Sequence, residues 1–177
     1  MEFEILKQKI ENATKKAFIE MFEKHGEEKI YAFALYSDEG AMTVEPATNT
    51  LKHLETVNQE DYAGFKFSTA EWKYGCIGAE EDFIEIYKLI EEEHNNHEDN
   101  DEGFEEFQKQ LFETCIEVLE KLKNENFFKQ IVGDDIFLTF TVSDYDYEVK
   151  DKGKTIIRLN DNKYKPEYFD WMATWGI

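Results

Sequence analysis

His94 and His97 stand three residues apart at the head of an acidic run, a spacing that on a helix brings two imidazoles together and invites a transition metal. Neither a cysteine cluster nor a His-Glu-x-x-His arrangement accompanies them, and the helical pattern fades where they occur. They read as solvated histidines of a polar loop. Asp99, Asp101 and Gly103 echo a calcium loop, which requires a glycine at its sixth position and a bidentate acid at its twelfth. Counted from Asp99, those positions hold Phe104 and Gln110. The acids from Asp144 to Glu148 fail in the same way, with Val149 and Thr155 in the required places. No metal site is expected.

Phosphate cradles and a nucleophile elbow are also missing, since no GxGxxG, GxxxxGK[ST] or GxSxG run occurs. Four histidines and two cysteines form no pattern that selects a Cys–His pair. Carboxylates are so frequent that two of them at acid–base distance would carry no information. The expectation is a protein with no catalytic residue and no cofactor. One alternative stays open: a small-molecule site, or an enzyme of unknown reaction, near Asp38 and Glu39 of one turn and Glu71 and Trp72 of a later segment. Trp72 lies in a polar stretch close to Gly75 and Gly78, so it is a candidate for contact with a partner or ligand. Trp171 and Trp175 read as packing residues that pin a terminal helix.

Charge is more informative than any motif. Forty acidic residues face twenty basic ones, for a net charge of −20. Such a surface repels nucleic acid and anionic membranes, and it speeds encounter with basic proteins. Between Gly78 and Asn126 there are seventeen acids against four lysines. Glu91, Glu92, Glu93, Asp99, Asp101, Glu102, Glu105 and Glu106 gather where two predicted helices meet across a loop. They form either a solvated outer face or a ridge for a basic partner, and Trp72 joins them as a second candidate for partner contact.

The elements that must hold these residues follow from hydrophobic period. The 177 residues fall within the range of one domain, and 41% apolar content with 15% aromatic residues is ample for a core. Residues 2–25 predict a helix through Phe3, Leu6, Ile10, Ala13, Ala17 and Met21. Ile30 to Tyr36 predicts a strand covered on both faces. A turn at Ser37 to Gly40 leads to a second strand at Ala41 to Val44, which Pro46 ends. A short helix through Val57, capped by Thr48 or Asn49, a loop over 58–67 and an edge strand at Ser68 to Tyr74 follow. Helices are predicted at 79–93 and 103–123, a strand at 136–142, another at 154–159, and a terminal helix with Pro166 in its first turn. This order predicts a single α+β domain, with a mainly antiparallel sheet and helices packed on it. Cys115 falls on the apolar stripe of the second of those helices and reads as a buried reduced thiol. Met1 to Glu4 has no basic start, and no apolar run approaches a membrane span, so a cytoplasmic protein is expected.

The run from Tyr31 to Val44 (YAFALYSDEGAMTV), with Pro46, Asn49 and Thr50, resembles the opening of a bacterial domain-of-unknown-function family. The resemblance continues at Ser68-Thr69-Ala70-Glu71-Trp72, at Phe112-Glu113-Thr114-Cys115-Ile116, at Val142-Ser143-Asp144 and at Arg158-Leu159-Asn160. It implies a context of polymorphic-toxin systems, in which an immunity protein protects the producing cell. It transfers no catalytic residues. The expected function is therefore a non-enzymatic cytosolic binding protein, an antitoxin-like partner of a basic toxin domain. Its oligomeric state is left open.

Overall fold

The computed structural model describes residues 3–96, 101–143 and 149–175. Helix α1 (Phe3–His25) buries Leu6, Ile10, Ala13, Ala17 and Met21 on one stripe, as their spacing predicts. A left-handed Lys29 then turns the chain into strand β1 (Ile30–Asp38), one of the two inner strands of a four-stranded sheet. Strand β2 (Glu45–Thr50) lies antiparallel beside it, with Tyr36 opposite Glu45 and Ile30 opposite Thr50. Strand β3 (Tyr74–Gly75) extends β2 at the outer edge. Strand β4 (Phe137–Ser143) runs parallel to β1 on the other side, from Ala32 opposite Phe137 to Asp38 opposite Ser143. The spatial order is β3-β2-β1-β4. Helices α2 (Leu51–Leu54) and α3 (Tyr62–Phe67) connect β2 to β3. Helices α4 (Glu80–Asn96), α5 (Asp101–Asn124) and α6 (Phe127–Val132) lead to β4, and α7 (Val149–Leu159) and α8 (Tyr164–Ala173) follow it.

Successive strand residues point to opposite faces. Phe33, Leu35, Leu138 and Phe140 meet α1, α4, α5 and α6 in the larger core. Ala32, Ala34 and Phe137 meet α3, α8 and Ile156 of α7 in a smaller one rich in aromatic rings. A sheet covered on both sides explains why β1 reads as an unbroken apolar run. Both cores share this one sheet. Cys115 is fully buried, and burial pushes its thiol well above the ordinary range.

The α+β architecture agrees with the order of elements in the sequence, but the sheet is mixed. Two of its three pairings are antiparallel, while β4 is parallel to β1. A parallel neighbour needs a long crossover, which α4 to α6 supply. The second strand is displaced to Glu45–Thr50, with Pro46 inside it rather than ending it. Asp38 is the reason. Its carboxylate accepts hydrogen bonds from Met42 N (3.0 Å) and Thr43 Oγ1 (2.9 Å), so the turn consumes the residues expected to begin the strand. Residues expected as loop form α3, and the segment expected as an edge strand is mostly a 3₁₀ turn at Thr69–Glu71 before the two residues of β3.

The strand expected at 154–159 is part of α7. Its β-branched residues suggest a strand, yet Thr155, Ile156 and Leu159 are buried while Ile157 is 57% exposed, which is a helical phase. The helix delivers Asn160 to the open edge of β4. Asn160 Oδ1 accepts from Leu138 N (2.9 Å), and its Nδ2 donates to Leu138 O (2.7 Å). One fully buried amide thus takes the place of a fifth strand at that point.

Candidate functional site

The acidic ridge is built by helical phase. Helix α4 turns Phe83, Ile86 and Ile90 inward, and α5 does the same with Phe107, Leu111, Cys115 and Leu122. Glu91, Glu92, Glu102, Glu105 and Glu106 are left on the exposed faces, and Glu93 is half-buried. His94 joins the two helices. Its ring centroid lies 5.2 Å from that of Phe104 and 5.5 Å from that of Phe107, and its Nε2 is 3.1 Å from Ala41 O. That packing gives His94 a structural task in place of a metal. Among the described residues no group of His, Cys, Asp and Glu side chains could hold a metal ion. His97 and Asp99 lie outside the described residues, as do the acids from Asp144 to Glu148. Asp101 opens α5, but its side chain is outside what is described.

Several acids elsewhere on the surface meet cations. Lys7 pairs with Glu117, Lys16 with Asp82, and Arg158 with both Glu113 and Glu120. Glu11 is almost fully buried between Lys121 and Lys15, each at 2.6 Å. Burial pushes the Glu11 carboxyl up, but the hydrogen bonds from the two lysines outweigh it and hold the group below its ordinary value. On the ridge, by contrast, Glu91, Glu92, Glu102 and Glu106 are exposed and make no ion pair with a described residue. Glu105 meets Lys109 at 3.6 Å with both ends largely in solvent, a pair worth little. The negative charge of Glu91 also raises the pKa of the Tyr87 phenol beside it.

A second feature lies at the carboxyl ends of the parallel strands β1 and β4. An open groove of about 390 Å3 is bounded by Ser68–Ala70, the end of β4, Lys152 of α7, and α8. All three tryptophans of the chain line it, although ninety-nine residues separate Trp72 from Trp171. Trp171 and Trp175 meet edge-on at 4.8 Å, and Trp171 stacks over Phe67 at 5.8 Å. On its polar side, the Thr69 and Thr141 hydroxyls share a 2.8 Å hydrogen bond. Trp72 is 7% exposed, and its Nε1 is the one buried side-chain polar atom without a hydrogen-bond partner among the described residues. Leaving such a donor unpaired costs about 1–3 kcal/mol.

The structure divides the residues that the alternative reading places together. Trp72 lines the groove; Asp38, Glu39 and Glu71 do not. Asp38 is spent on its own turn, and the carbonyl of Glu39 accepts a hydrogen bond from Gln108 Nε2 of α5. The tip of the β1–β2 connection is therefore tied to the ridge. Glu71 is exposed. Trp171 and Trp175 do pack α8, but they also complete the groove, and nothing in their sequence spacing links them to Trp72. Their shared residue type was the only available signal. No described helix is long and apolar enough to cross a membrane.

A family model described as a domain of unknown function (DUF4303) matches residues 10–161. No curated protein and no solved structure matches the chain.

Proposed function

The chain belongs to the DUF4303 family, a domain of unknown function, and from that premise we propose that it is a non-enzymatic cytoplasmic binding protein that neutralises a basic toxin domain. The observation that carries the reading is the end of the α4–α5 pair. There Glu91, Glu92, Glu102 and Glu106 stand exposed without described cations, whereas Asp82, Glu113 and Glu117 farther along the same helices are paired. A surface that leaves its acids unneutralised keeps its field for an approaching partner and raises the rate of encounter. The toxin-immunity context comes from the sequence resemblance. If the toxin is a nuclease, its basic substrate groove is the complementary face.

The test is affinity capture of the tagged protein at low and high salt, with identification of what is retained. It is run beside a variant carrying Glu91→Lys, Glu92→Lys, Glu102→Lys and Glu106→Lys. A basic toxin domain retained at low salt, and lost both at high salt and from the variant, is the expected result. Association should slow by about tenfold or more on charge reversal. A toxin that the variant binds as well as the parent would move the interface away from the ridge. A partner that is not a toxin would end the immunity reading.

A further inference from the structure

The groove carries an inference separate from the ridge. Among its described lining residues the single charged group is Lys152; every other one is aromatic, aliphatic or a hydroxyl. That composition is unlike the rest of a chain in which acids outnumber bases two to one. Lys152 makes no ion pair with a described residue, and its ammonium lies 5.5 Å from the centroid of the Trp175 ring. Trp72 contributes its ring to the wall, with its N–H buried beneath the surface and without a partner among the described residues. Hydroxyls, those of Thr69 and Thr141 among them, and one cation therefore border a wall of flat rings. The volume, about 390 Å3, is that of a small-molecule site.

We propose that this groove binds a small planar aromatic molecule bearing one anionic group, with its ring against the tryptophans and its acid at Lys152. The aromatic wall supplies flat, rigid contact area. Lys152 fixes the polarity of the ligand, because a carboxylate or phosphate gains a charge-assisted hydrogen bond there. The net charge of the whole chain attracts cations at long range, but charges beyond about 8 Å are largely screened at physiological salt, so the lining decides. An aromatic box alone would suit a quaternary ammonium. Here Lys152 already occupies the space over Trp175 and opposes a second cation.

The experiment is calorimetric titration of the full chain with three ligands of one ring system: 2-naphthoate, uncharged 2-naphthamide, and 2-naphthylmethylammonium. The acid is expected to bind at least about tenfold more tightly than the amide, and the ammonium weakest. Lys152→Gln should bring the acid down to the level of the amide while leaving amide binding unchanged, a result that a mere structural defect would not produce. Trp72→Phe trims the aromatic wall and should weaken both ligands while leaving their ratio unchanged. The proposal is overturned if none of the three binds at millimolar concentration, if the ammonium binds tightest, or if Lys152→Gln leaves the acid-to-amide ratio unchanged. None of these outcomes depends on the ridge or on a toxin.

Discussion

Glu28 shows how much one side chain can gather. Its carboxylate accepts from Lys73 Nζ (2.9 Å), Tyr74 Oη (3.1 Å) and Thr50 Oγ1 (3.1 Å), which ties the turn after α1 to β2 and β3. The Lys73 hydrogen bond leads the causes that bring its pKa from an ordinary 4.5 down to about 2, against the cost of burial. A carboxyl lowered by folding adds stability that is fully present above pH 4.5 and lost as the pH falls towards 2. Glu28→Gln should therefore be less stable at neutral pH, and its acid unfolding curve should be flatter than the parent's between those limits. Equilibrium unfolding at a series of pH values reads this directly, and an unchanged acid limb would show that Glu28 is not its source. None of this is visible in the sequence. Glu28 sits in a Glu-Glu pair identical in type to many others, and only the return of Lys73 and Tyr74, forty-five and forty-six residues away, distinguishes it.

Elements were legible where one period dominates. The helices α1, α4 and α5 carry three- and four-residue apolar spacing over many turns, so their positions follow from the chain alone. Strands β1 and β4 are similarly plain because both faces are covered. Short elements were decided by tertiary partners instead. The run Thr155-Ile156-Ile157 has strand propensity, but a buried helix face and the bond from Asn160 to β4 override it. Asn160→Ala would leave both the N–H and the C=O of the buried Leu138 without that partner, at a cost of about 3 kcal/mol. Urea unfolding should show a lower midpoint with an unchanged slope. A loss below about 0.5 kcal/mol, as for an ordinary surface site, would mean that the edge of β4 finds other partners.

At the scale of the whole molecule, the sequence reveals a surplus of charge but not its distribution. Acids paired across helices, such as Glu11 and Glu113, are indistinguishable in a list from those left bare on the ridge. The groove was hidden more completely. It needs α7 and α8 to dock against the end of β4, and the segment that feeds them reads as a strand. Self-repulsion at a net charge of −20 also has a measurable consequence. Screening it with sodium chloride up to physiological ionic strength should raise the melting temperature by a few degrees, since about 1 kcal/mol corresponds to roughly 2–4 °C at this size. A falling melting temperature would instead give the larger weight to the surface ion pairs. The convergence of Trp72, Trp171 and Trp175 on one groove gives the molecule a built-in optical gauge. Its indole emission reports the seating of α8 and the 3₁₀ turn, and is blind to the α4–α5 pair, which contains no tryptophan. Emission and far-ultraviolet dichroism therefore observe different parts of the fold. A heating curve in which emission shifts first would time the release of the carboxyl-terminal helix before the main core melts.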